Sequence, residues 1–154
     1  MNLGLVRSIA DLSNRWRSRF LLSRTSSRPD HLRRGAHGEK LACRFLRRKG
    51  YKILYRNFKG RSGGEIDIVC RDNDTLVFVE VKTRTREDFG RPFAAVDRQK
   101  QKRISRGGLN WLRMLDDPDI LFRFDVVEVV IAENASPRLE LIKNAFPLSK
   151  PYIY

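Results

Sequence analysis

Leu76-Val77-Phe78-Val79-Glu80-Val81-Lys82-Thr83 is the stretch on which the fold turns. It is a strongly apolar β-run interrupted by two charges. Side chains alternate faces along a strand, so Glu80 and Lys82 point one way and Val79 and Val81 the other. Just upstream, Gly64-Glu65-Ile66-Asp67-Ile68-Val69 repeats the pattern, with Glu65 and Asp67 sharing a face. Charge placed inside runs that otherwise read as buried strand costs free energy unless something pairs with it.

Arg71-Asp72-Asn73-Asp74-Thr75 joins the two strands as a polar hairpin turn. With Asn73 and Asp74 at its centre, Asp72 faces Thr75, Asp67 lies opposite Glu80, and Glu65 lies opposite Lys82. Asn-Asp is a weaker turn signal than Asn-Gly, and a slip of one residue breaks this register. Two facing carboxylates repel, whereas an acid facing a lysine is supported. A bound divalent cation removes the repulsion, and oxygen ligands of this kind suit magnesium or manganese. The plain alternative is a hairpin whose charged face is simply wet.

Gly64-Glu65-Ile66-Asp67, followed thirteen positions after Asp67 by Glu80-Val81-Lys82, resembles the signature of the restriction-endonuclease-like PD-(D/E)xK superfamily. More narrowly, the chain resembles the YraN family of small bacterial proteins, which are similar in fold to archaeal Holliday-junction resolvases. The match runs from about 38 to about 130. It includes Gly38-Glu39 opening a helix, Gly50-Tyr51 ending it, Asn57-Phe58, Val79-Glu80-Val81-Lys82-Thr83-Arg84 and Arg123-Phe124-Asp125-Val126-Val127. An ExK triplet alone is a poor signal; this ordered set is specific.

The resemblance implies a restriction-endonuclease-like α/β sandwich and a metal-dependent endonuclease acting on DNA, on branched or structured DNA in particular. Asp67 and Glu80 would ligate Mg2+ or Mn2+, joined by the backbone carbonyl of Val81. Lys82 would orient or activate the attacking water and offset charge on the phosphate. Glu39 matches the acid that the related resolvases place on their first helix, reaching the metal directly or through water. Glu65 fits either a supporting role or an ion pair with Lys82. Resolvases cut as dimers, so a homodimer is implied too. Where relatives carry Thr-Pro, this chain has Val96-Asp97-Arg98-Gln99; Asp97 still serves as an N-cap, and Gln99 reads as helix surface. The competing reading is a non-catalytic DNA- or RNA-binding protein that retains the fold.

Composition agrees with a nucleic-acid partner. The 154 residues carry a formal net charge of +14 and a pI of about 10.6, which attracts polyanions with strong salt dependence. RNA or an anionic membrane surface fits the same charge. Arg61, Arg84, Arg86, Arg91, Arg98, Lys100, Lys102 and Arg103 flank the carboxylate strands and are the candidate phosphate contacts. Cys43 and Cys70 read as small buried thiols, since no CxxC or His/Cys spacing suggests zinc. His31 and His37 read as linker surface, with His37 near enough to Glu39 to be conceivable as a ligand or base. No apolar run approaches a membrane span, and cytoplasmic residence is the default.

Periodicity predicts a helix over 38–49, strands over 51–58, 64–69 and 76–83, a helix over 97–115, and strands over 122–131 and 138–143. The order α-β-β-β-α-β-β fits an α/β sandwich with a mixed central sheet flanked by helices. Lys59-Gly60-Arg61-Ser62-Gly63-Gly64 reads as a flexible basic loop bordering the site; it opens no helix and fits no P-loop. Gly107-Gly108 suits close packing against the sheet or another subunit, and Asp125 reads as a buried ion-pair partner. Residues 1–36 form a basic extension in which Leu5, Ile9, Leu12, Trp16 and Phe20 recur at helical spacing, followed by a flexible linker. That helix offers a surface to DNA, a membrane or a protein partner, with docking on the domain as the plain alternative. The endonuclease-like domain is placed at 37–146 and a C-terminal tail at 147–154.

Overall fold

The computed structural model describes residues 30–84, 96–115, 119–132 and 135–151. The amphipathic N-terminal stripe, Arg86 and Arg91 lie outside the described residues. The elements are α1 (Asp30–Arg48), β1 (Lys52–Lys59), β2 (Glu65–Asp72), β3 (Thr75–Arg84), α2 (Arg98–Leu112), β4 (Phe122–Val130) and β5 (Arg138–Phe146), in the expected order. No helix among them is long and apolar enough to cross a membrane.

The strands form one sheet in the order β1-β2-β3-β4-β5. Only β3 and β4 run parallel; the other neighbours are antiparallel. A parallel pair needs a crossover connection, and α2 lies in it. The two helices cover opposite faces. On one, Ala42, Cys43 and Leu46 of α1 pack with Ile68, Cys70, Val77, Val79, Val127 and Val129. On the other, Ile104, Leu109, Trp111 and Leu112 of α2 pack with Val69, Leu76, Phe78, Phe124 and Val126. Burial from both sides is why Leu76 to Val79 reads as a continuous apolar run. The fold is therefore α/β, a five-stranded mixed sheet with a helix on each face.

Helix α1 begins at Asp30, eight residues before the Gly38 that the spacing predicts. Gly38 lies inside the helix for a packing reason: a Cβ there would run into the Thr83 side chain of β3. His37 is an exposed residue of this helix, where a linker is expected. The C-terminus falls where Gly50 predicts. Gly50 takes φ 89°, and Tyr51 N–H closes back onto Leu46 C=O at 3.0 Å.

Gly107 and Gly108 serve the sheet side of α2. A Cβ on Gly107 would lie 2.9 Å from Ile66 Cγ1, and one on Gly108 would lie 3.1 Å from the Phe78 ring. The helix therefore approaches β2 and β3 closely, which brings its first turn over the carboxylates. Strand β5 runs three residues past the expected 143, through Asn144 at φ 50° and a shift of register against β4, to Phe146, stacked on Phe124 at 5.1 Å. Asp125 is fully buried as an ion-pair partner. Arg123 Nε donates to its Oδ1 at 2.9 Å, and Asn144 N–H donates to the same oxygen at 2.8 Å.

Candidate metal and phosphate site

The β2–β3 hairpin adopts the register that the turn predicts, with Asp72 opposite Thr75 and Ile68 opposite Val79. The backbone ladder stops one rung short of the carboxylates. In place of the next rung, Asp67 Oδ2 accepts the Val81 N–H at 2.8 Å. Glu65 and Ile66 go on to pair with Lys59 and Phe58 of β1. The opening between β2 and β3 is thus bridged by a side chain, which fixes the orientation of Asp67.

Glu80 is buried, its side chain 7% exposed. Its Oε1 lies 3.2 Å from Lys100 Nζ. Its Oε2 is buried and has no hydrogen-bond donor among the described residues. Burial and the neighbouring Asp67 carboxyl push the Glu80 carboxyl up to about 8, against the opposing pull of Lys100. A carboxylate oxygen in this position is satisfied by a proton shared with Asp67 or by a divalent cation. The all-oxygen pair fits magnesium or manganese. Among the described residues, no group of three or more His, Cys, Asp or Glu side chains converges to hold a metal.

Lys100 differs most from its expected place. Rather than turning outward to a phosphate, its ammonium bridges Glu65 Oε1 and Glu80 Oε1, 3.2 Å from each. Burial alone would lower its pKa; Glu80, Asp67 and Glu65 together raise it. The signal was in the sequence. Lys100 shares a helical stripe with Ile104, Gly107, Gly108 and Trp111, all buried. A lysine on an inward stripe has to meet a carboxylate.

Glu65 therefore pairs with α2 and not with Lys82. Besides Lys100, Arg103 Nη2 reaches its Oε1 at 2.8 Å. Burial would raise the Glu65 carboxyl, but Lys100, Arg103 and Lys59 outweigh it and hold it low. Lys82 is half-buried beside Glu80 on β3 and lies opposite Glu128 in the parallel ladder with β4. Glu128 is a buried carboxylate that the reading of the strands passed over; Arg84 Nη2 lies 3.6 Å from its Oε1. Glu39 is not brought to Asp67 and Glu80. It pairs with Arg56 at 3.5 Å across the α1–β1 contact.

Of the candidate phosphate contacts, Arg61, Arg98 and Lys102 are exposed, whereas Arg84, Lys100 and Arg103 are engaged by acids. Gln99 is exposed on α2, as expected. The loop expected to be flexible is pinned. Asn110 Nδ2 donates to Gly63 C=O at 3.0 Å, and Ser62 Oγ donates to Asn110 Oδ1 at 2.8 Å. Arg61 is thus displayed from an anchored turn. Both cysteines are buried free thiols whose pKa burial raises.

The model of "Uncharacterised protein family UPF0102" matches residues 38–129, much the same span as the motif resemblance. A UPF0102 protein of Geobacter metallireducens is 50% identical over 115 residues, covering 75% of this chain and 93% of the relative. Its counterpart in Geobacter sulfurreducens is 49% identical over 115 residues, covering 75% and 89%. One from Nocardia farcinica is 46% identical over 112 residues, covering 73% and 87%. The family-model match over residues 38–129, together with relatives this similar, makes this chain a member of the UPF0102 family.

Proposed function

We propose that this protein is a metal-dependent nuclease that hydrolyses DNA phosphodiester bonds, with branched or structured DNA as its substrate. The observation that carries the proposal is the buried Glu80 Oε2 beside Asp67, without a donor among the described residues, with Lys82 next on the same face of β3. The PD-(D/E)xK resemblance supports it, and so does the mixed α/β sheet.

Asp67, Glu80 and the Val81 carbonyl would hold Mg2+ or Mn2+. When bound, the cation supplies charge neutralisation at the phosphate and a nucleophile at neutral pH. Asp67 is prevented from turning away by its bond to Val81 N–H. Lys82 places a fixed positive charge beside the scissile phosphate and orients the attacking water. Glu39 of α1, paired with Arg56, has no part in this scheme. Arg61 on the anchored loop and Arg98 and Lys102 on α2 follow the substrate backbone. A homodimer, as the resolvase resemblance implies, would place two such sites across a junction.

A second reading has its own observation. Two carboxylates converge where a fuller cage would use more, and Lys100 already occupies an oxygen of one of them. That favours a basic binding module without catalysis. The discriminating experiment is cleavage of labelled single-stranded, duplex, flapped and four-way-junction DNA with Mg2+ or Mn2+, wild type beside Asp67→Ala. Metal-dependent products from wild type alone are expected. Tight binding without products from either protein would overturn the nuclease proposal in favour of the binding module.

A further inference from the structure

A lysine that merely follows a phosphate backbone belongs on the outward stripe of α2, where Arg98 and Lys102 are exposed. Lys100 is on the inward stripe, its side chain 25% exposed, bridging Glu65 and Glu80. It sits on Oε1 of the same carboxylate whose Oε2 lacks a donor among the described residues. An ammonium and a divalent cation on one carboxylate repel each other in a low-dielectric site. Glu65 offers the ammonium a second acceptor that does not require Glu80.

We propose that Lys100 is a tethered competitor of the divalent cation. In the metal-free protein its ammonium occupies Glu80 Oε1, and metal binding displaces it onto Glu65, which serves as its alternative acceptor. The two residues then set the threshold for metal loading in opposite directions. Removing Lys100 frees Glu80 for the cation. Removing the Glu65 charge leaves Lys100 with Glu80 alone and holds the cation off. This inference rests on Asp67 and Glu80 as cation ligands, not on cleavage.

The test is Mn2+ binding to the full chain by titration calorimetry, without DNA, with each variant's fold checked by circular dichroism. Lys100→Met is expected to bind Mn2+ about tenfold tighter than wild type, equivalent to about 1.4 kcal/mol. Lys100→Arg keeps the charge and should stay near wild type. Glu65→Gln is expected to bind about tenfold more weakly, a coupling of ordinary size. Asp67→Asn combined with Lys100→Met should not bind at all. Because the two key shifts have opposite sign, a general loosening of the fold cannot imitate them. Equal affinity in wild type and Lys100→Met overturns the proposal, as does a shift of Glu65→Gln in the same direction as Lys100→Met. A wild type that cleaves DNA while its Mn2+ affinity ignores Lys100 sinks this inference alone. Lys100-dependent Mn2+ binding in a protein that cleaves nothing sinks the nuclease proposal alone. No Mn2+ binding by any variant overturns both.

Discussion

Replacing Glu80 by glutamine removes a buried ionisable group at nearly constant volume, so its effect on stability has to vary with pH. In the folded, metal-free protein the Glu80 carboxyl keeps its proton up to about pH 8; its ordinary value is 4.5. Between those values the folded state holds a proton that the unfolded chain has released, so stability falls as pH rises, by about 1.4 kcal/mol per pH unit. Across the whole window the loss is about 5 kcal/mol, comparable to the total stability of a small domain. Below the window both states are protonated, and above it both are ionised, so the slope vanishes at either end. Glu80→Gln stays neutral throughout and lacks this slope. Urea unfolding with a chelator present, followed through the buried Trp111 from pH 5.5 to 9, reads the difference directly. The variant should gain on wild type steadily up to about pH 8 and then level off. Saturating Mn2+ should flatten the wild-type profile, because the cation replaces the proton. Parallel wild-type and variant profiles between pH 5.5 and 8 would refute the idea that Glu80 is a buried carboxyl waiting for a cation.

Asp67→Ala should abolish metal-dependent cleavage and also cost about 1 kcal/mol by leaving Val81 N–H without its acceptor. A folded Asp67→Ala protein that still cuts DNA removes Asp67 from the site. Gly108→Ala should lower the melting temperature, because a Cβ 3.1 Å from Phe78 and 3.2 Å from Phe124 overpacks the core by about 1–3 kcal/mol. That exceeds the roughly 1 kcal/mol of helix propensity gained; a higher melting temperature would contradict the close approach of α2. Arg123→Met should destabilise by about 3–5 kcal/mol in chemical denaturation, since it strands the fully buried Asp125. Asp72→Asn keeps a side-chain oxygen for Arg123 and Lys143, which lie 2.7 and 3.1 Å from Asp72 Oδ2, and should cost much less; equal losses would argue against the burial of Asp125 as the cause.

What the sequence discloses and what it hides have one physical origin here. Alternation along β2 and β3 and the polar turn at Asn73-Asp74 determine the hairpin register, because only one pairing buries Ile68, Val77 and Val79 on one face and Val69 and Phe78 on the other. The end of α1 is equally local, since Gly50 supplies the left-handed residue. Contacts between elements are different. Gly38 looks like a helix start until Thr83 is seen against it, and Glu39 looks available to a metal until Arg56 is found beside it. Glu128 obeys the same rule as Glu80, a charge in a buried strand.

Lys100 is the instructive case, because its contact could have been reached by inference. In a chain of net charge +14, a basic residue on a helix reads as solvated surface. Yet counting forward from Lys100 by 4, 7, 8 and 11 gives Ile104, Gly107, Gly108 and Trp111, an unbroken inward stripe. A lysine on such a stripe faces a sheet, and desolvating it demands a carboxylate. The acids available are those that alternation puts in reach, Glu65, Asp67 and Glu80, and the structure joins Lys100 to two of them. The stripe decides the burial and the burial decides the partner. A basic residue therefore has to be placed by the faces of its helix before it is assigned to the nucleic acid.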